Sequence, residues 1–325
     1  MDFRLTDEQA ELRDTVARYC ADRFPLAAAA DREGRPVDRS TWRGMASLGT
    51  FGVLLGDDAG GSGVGLLEAA LVFEQLGAHL APGPVVWTAL AASFLEGAAT
   101  GRVLAGGVLA TEVDAGTTLV EHAADLDVIL VVGDDVVACY TADLAAPEPL
   151  DPLDPLTPVG AFTGLQGGDV VGDRASAELL QMHGTVLSAA MLTGIASTAL
   201  EVAATYALQR QQFGIPIGSF QAIKHILADM YVRHSLAQSA TYAAAASAHD
   251  PGAPESRRAA ASAKLLASDA ALANAAAAVQ VLGGMGFTWD MAPHRLLKRA
   301  WVLEQTFGTA DDHARHLGAT VAGAR

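Results

Sequence analysis

The sequence predicts a mainly α-helical protein with a small β module in its middle. Three observations lead there. The 325 residues are 51% hydrophobic but only 6% aromatic, which suits packed helices better than a sandwich of short aromatic strands. Apolar residues recur at helical spacing before residue 104 and again after 172, the second time over segments long enough for a bundle. Between them, VLATEV, TTLVEHA, DVILVVG and DVVACYTA are short, rich in β-branched residues and separated by turn residues.

The expected organisation is a helical domain over 1–104, a reduced β domain over 105–171 and a four-helix bundle over 172–325. Thr6 followed by Gln9 forms a capping box, after which Leu12, Val16 and Tyr19 mark one helical face. A short helix over Thr41–Leu48 ends at Gly49, and the Gly-rich turn 56–65 precedes a helix with Leu67, Ala70 and Phe73 on one side. Another apolar helix follows Pro84. After the strands, APEPLDPLDPLTPVG is incompatible with helix and reads as an extended surface loop.

The bundle helices fall at about 175–211, 219–249, 254–284 and 294–305, with a short one after Gly308. In the second of these, Ile223, Ile226, Leu227, Met230 and Leu236 form the expected buried stripe, and Lys224, Asp229 and Arg233 face away. The weakly charged stretch Leu179–Leu200 carries Gln181, His183 and several Ser and Thr, so it reads as a buried helix rather than a membrane span.

Charge and cysteine content narrow the function. With 21 Lys and Arg against 37 Asp and Glu, a net charge of −16 repels a phosphate backbone and argues against nucleic-acid binding. Cys20 and Cys139 form no paired motif and are read as core thiols of a cytoplasmic protein. The N-terminus MDFRLTDEQAELRD lacks the apolar block of a secretory signal.

Two segments carry chemistry. RQQFGIPIGSFQAIKHILADM, residues 210–230, is a helix end, a Gly/Pro turn and a new helix start. Such a turn offers an arginine, free N–H groups and a helix N-terminus to one anion. A plain helical hairpin, with Phe213 packed and Arg210 capping, explains the same residues. QVLGGMGF, residues 280–287, closes another helix with glycines that allow close backbone approach. No strand precedes it or the GGSGVG near Gly60, so neither is a Rossmann fingerprint.

Together these segments resemble the acyl-CoA dehydrogenase family. Its R-x-x-F-G…Q…A-D-M pattern is matched by Arg210, Phe213, Gly214, Gln221, Ala228, Asp229 and Met230. Its Q-x-x-G-G-x-G-[FY] pattern is matched by Gln280, Gly283, Gly284, Gly286 and Phe287. LTDEQAELR and the W-x-x-x-A-x-L-G-x-x-G of Trp42, Ala46, Leu48, Gly49 and Gly52 fit in the right order. The resemblance implies an acyl-CoA dehydrogenase-like fold, an acyl-CoA substrate and FAD bound at a subunit interface. It also implies that Arg210, Gln212, Phe213, Ile217, Gln221, Gln280, Val281, Gly283 and Gly284 reach the ADP half of a neighbour's FAD.

The pattern breaks at the catalytic base. Family members carry a Glu before a Gly-Thr near the C-terminus, or near the start of the first bundle helix. Here those positions are Phe307 and Gly184, and neither can take a proton. Glu304 is the candidate substitute, with a solvated helix residue as its bland reading. Asp311 and Asp312 are read as caps of the last helix. TEVDAGTT, residues 111–118, resembles the family loop under the flavin, but the segment that stacks on the ring is missing.

The chain thus resembles the shorter, base-less subunits of α2β2 heteromeric acyl-CoA dehydrogenases of steroid breakdown. That implies a full-length homologue as partner, supplying the ring pocket and the base. A self-sufficient enzyme with a displaced base and a scaffold that has lost flavin are the alternatives.

Overall fold

In the computed structural model, residues 5–323 are described apart from 57–60, 62, 96, 114–116, 142–146, 164, 166, 167 and 249. The centre of the expected flavin-loop relic, at 114–116, and part of the Gly-rich turn at 56–65 therefore lie outside the described residues. The first helices are α1 (Asp7–Arg23), α2 (Arg39–Ser47), α3 (Leu66–Ala78) and α4 (Val85–Ala91). Thr6 and Gln9 close the reciprocal capping box of α1, with bonds of 3.2 and 3.0 Å. Asp38 caps α2 by accepting from the N–H groups of Ser40 and Thr41.

Among the described residues, seven short strands follow: β1 (Ala105–Leu109), β2 (Thr118–Glu121), β3 (Val128–Val132), β4 (Val137–Thr141), β5 (Glu148–Leu150), β6 (Val159–Phe162) and β7 (Asp169–Gly172). They make one sheet in the order β1-β3-β4-β7 and a second in the order β2-β6-β5. The β1–β3 pair is parallel, with Ala105 opposite Val128, and the remaining pairs are antiparallel.

The bundle consists of α5 (Arg174–Gln209), α6 (Gln221–Ser247), α7 (Pro254–Leu282) and α8 (Pro293–Gln305), followed by α9 (Ala310–Gly323). Between α5 and α6 runs the two-stranded hairpin β8 (Gln211–Gln212) and β9 (Ile215–Pro216). Asp173 caps α5, and a proline occupies the first turn of α7 and of α8.

At 36 residues, about 54 Å of helix, α5 packs against α3, α6, α7 and α8. Its contact with α3 is backbone to backbone. A Cβ on Gly77 would run into the Met191 carbonyl, and one on Gly194 into the Glu74 carbonyl. The most apolar windows of α5 and of 254–287 would suffice to cross a membrane, but 78% and 50% of them are buried within the protein.

Three expectations need correction. Leu236 is 56% exposed; the buried face of α6 continues through Met230, Ala237, Thr241 and Ala244. Cys139 is only half-buried, unlike Cys20. The Pro-rich segment is not simply a surface loop, because Asp154, Leu156 and Thr157 are buried.

What draws that segment inward is Arg299 of α8. Its Nε donates to Asp154 at 2.6 Å, and its other nitrogens donate to the carbonyls of Ala81 and Leu156, both at 3.1 Å. A desolvated charge is tolerated only where it is paired and its hydrogen bonds are filled, so this arginine joins the helical domain, the β module and the bundle. Arg299→Met should cost about 3–5 kcal/mol by stranding Asp154. Adding Asp154→Leu should restore part of the loss; equal unfolding midpoints for the single and double variants would contradict the pairing.

Candidate cofactor face and catalytic-base positions

The turn after α5 is built around Phe213 and Gly214, both at positive φ, 54° and 80°, which is the backbone a two-residue hairpin requires. Glycine adopts it freely; phenylalanine does so at a cost of order 1–3 kcal/mol. Among the described residues little covers the strained Phe213, which is 92% exposed and whose ring meets the edge of Phe220, 6.3 Å away. The Ile217 N–H donates to the Arg210 carbonyl at 2.8 Å, folding the start of α6 back against the end of α5. The α6 N-terminus has no side-chain cap, so its first N–H groups remain available.

Arg210, Gln212 and Gln221 are exposed, and Ile217 is half-buried. Gln280, Gly283 and Gly284 are exposed at the end of α7. Val281 differs from expectation: it is 5% exposed and turned into the core, so only its backbone could face a ligand. The 283–287 turn packs on α7 and α8, whereas the 217–219 turn packs on α5 and α6. Each motif is thus presented outward from its own part of the bundle.

Gly283 needs its glycine for a φ of 60°, but Gly284 does not have a positive φ and a Cβ there would meet nothing within 4 Å. Its bareness has no internal cause. An arginine, uncapped N–H groups, an unshielded aromatic ring and an unfilled glycine fit the adenosine diphosphate half of FAD. They form an open surface, not a closed pocket.

Phe307 and Gly184, the two positions that the resemblance aligns with the family's base, meet in space. A Cβ on Gly184 of α5 would run into the ring of Phe307. Phe307 is 4% exposed, sits at a φ of 59° and packs its ring 4.5 Å from that of Trp87 on α4. Trp87 in turn lies over Gly107 of β1, where a Cβ would strike the indole. The cavity beside these rings, lined by Trp87, Glu121, His122, Thr157, Arg299 and Thr306 among others, is about 20 Å³. That is room for about one water molecule.

Lys264 holds this turn from behind. Fully buried in α7, its Nζ donates to the carbonyls of Glu304, Thr306 and Gly308 at 3.0, 2.7 and 2.7 Å, a cation at the carbonyl end of α8. In this arrangement the Glu304 carboxylate accepts from the Ala310 N–H at 2.8 Å and caps α9. Asp312 and Thr309 form a reciprocal cap on the same helix, at 3.0 and 3.1 Å. The Thr309 hydroxyl and then its N–H, both donating to the carboxylate, hold Asp312 below the usual range, and Asp311 lies exposed in the first turn. Sequence reasoning missed Lys264 and Trp87; a single lysine inside the Ala-rich RAAASAKLLAS was the one available signal.

Burial, with Arg299 nearby, pushes His122 down to about 3. Burial likewise lowers His183 and His313 to about 4, Lys264 adding to the effect at His313. These histidines are neutral in the fold, whereas an unfolded chain protonates them below about pH 6.5. The unfolded state then binds more protons, so their contribution is complete above pH 6.5 and is lost as pH falls towards 4. Thermal midpoints should drop across that window, and His122→Asn, which tolerates the φ of 54° there, should flatten the drop.

Family models match both helical regions of the chain: the acyl-CoA dehydrogenase N-terminal domain over residues 6–100 and its C-terminal domain over 175–322. IpdE2 of Mycolicibacterium smegmatis, an acyl-CoA dehydrogenase, is 32% identical over 98% of this chain and 100% of its own length. The acyl-CoA dehydrogenase FadE34 of Mycobacterium tuberculosis is 33% identical over 91% of this chain, which spans only 45% of that protein. A variant of the Tcur3481–Tcur3483 steroid ACAD superposes with a TM-score of 0.83 at 25% identity, covering 98% of both chains.

The chain therefore belongs to the acyl-CoA dehydrogenase family, whose members are oxidoreductases acting on CH–CH bonds. FAD is the cofactor that this membership assigns.

Proposed function

We propose that this chain is one subunit of a hetero-oligomeric, FAD-dependent acyl-CoA dehydrogenase. It holds the ADP half of the flavin, and a full-length homologue encloses the flavin ring and supplies the base. The observation that carries this reading is the openness of the clamp. Arg210, Gln212, Phe213, Gln221, Gln280, Gly283 and Gly284 face solvent, although a strained exposed phenylalanine and an unfilled glycine have no purpose in an isolated chain.

The base positions support the same division of labour. α-Proton removal from a CoA thioester needs a carboxylate within hydrogen-bond reach, and here those positions are Phe307 and Gly184 while Glu304 is engaged as a cap. FadE34 extends the argument: this chain matches less than half of it, leaving length there for a second unit of family size. A steroid-derived thioester is the substrate class proposed from the likeness to the Tcur3481–Tcur3483 pair.

Bound FAD supplies the hydride acceptor. This chain's part is to hold it: Arg210 donates to the pyrophosphate, the free N–H groups at the start of α6 add to that field, and the flat backbone at Gly284 allows close approach.

Gly284→Val tests this without disturbing the fold, because a Cβ there meets nothing in the chain. In the complex co-purified with its full-length homologue, Gly284→Val and Arg210→Ala should both lower flavin per chain pair, read by absorbance after denaturation. The circular dichroism melt of the variant chains should be unchanged. Full flavin retention by both variants would remove the proposal.

A further inference from the structure

We infer that the groove between the end of α1, α3 and the second half of α5 binds a linear aliphatic polyamine. The inference does not rest on the functional reading above, because the groove is lined by none of the residues assigned there.

The groove holds about 530 Å³, within the range of small-molecule sites. α5 supplies one wall with Ser197, Glu201, Thr205 and Gln209. These four stand at successive i+4 positions of an unbroken helix, so each lies about 6 Å beyond the last and the row runs for about 18 Å. Every one of them presents an oxygen that can accept a hydrogen bond. Ammonium groups joined by four methylenes in an extended chain stand at nearly the same interval, so a polyamine can meet the row nitrogen by oxygen. The end of α1 contributes Ala21, with Pro25 and Leu26 just beyond it. Their apolar surface suits the methylenes between the nitrogens.

Charge fixes the sign of the ligand. Among the described residues no lysine or arginine lines the groove, in a chain of net charge −16, and a cleft concentrates the field of the charges around it. Two carboxylates line it. Glu74 is committed: it accepts from the Tyr242 hydroxyl at 2.6 Å and from the Gln238 amide at 2.9 Å, and burial raises its carboxyl. Glu201 is exposed and has no hydrogen bond or ion pair among the described residues, which makes it the anchoring charge. A nucleotide or a CoA thioester would bring phosphates against these carboxylates and is repelled by the same field.

The test is isothermal titration of the full chain with spermidine at constant ionic strength, with butane-1,4-diamine and magnesium chloride as comparison probes. One spermidine per chain is the expected result. The diamine should bind about tenfold more weakly, since it carries fewer charge-assisted hydrogen bonds to the row. Glu201→Gln should weaken spermidine about fivefold through the lost ion pair. Glu148→Gln, which removes an equal charge from exposed strand β5, should leave the affinity unchanged. Equal weakening by both variants, or magnesium binding as tightly as spermidine, would show general attraction to an acidic chain and overturn the inference. An absence of saturable spermidine binding overturns it as well.

Discussion

The contact between the Phe307 ring and Gly184 of α5 is the constraint on which the site depends. It joins the two places where a base could stand and fills both with hydrocarbon. Because a densely packed interior leaves no slack, that contact also fixes its neighbours. Trp87 must lie flat on Gly107, the 304–308 turn must be held from behind, and a buried lysine does so with three carbonyl bonds. The result is a closely packed floor between α4, α5 and the 304–308 turn.

The opposite balance holds on the bundle surface that carries Arg210. There the chain accepts unfavourable features: a phenylalanine at positive φ in solvent and an uncapped helix start, and the 283–287 turn adds an exposed Phe287. Exposed apolar groups of this kind support the proposal that a partner covers them. A closely packed interior and an open exterior in one chain support the proposed role of a subunit that shares its cofactor.

Much of the fold was legible because helix boundaries are written locally. Thr6, Asp173, Pro254 and Pro293 mark starts that the structure observes within a residue or so. Leu236 was misread because the buried face of α6 continues through Ala237 and Thr241, small residues that carry little hydrophobic signal. The inward turn of the Pro-rich segment was invisible, since its cause, Arg299, lies 145 residues from Asp154. At the candidate site, the sequence shows Phe307 and Gly184 at the positions where the resemblance expects a base. It could not show that Trp87 stacks on Phe307 or that Val281 turns inward, because long-range packing leaves no periodic trace in either segment.

The measurement that bears most directly on the account is the flavin content of this chain purified without a partner, alongside its turnover of acyl-CoA thioesters. Protein without bound flavin and without activity is the predicted result. A yellow homo-oligomer holding one FAD per chain and oxidising acyl-CoA unaided would contradict it.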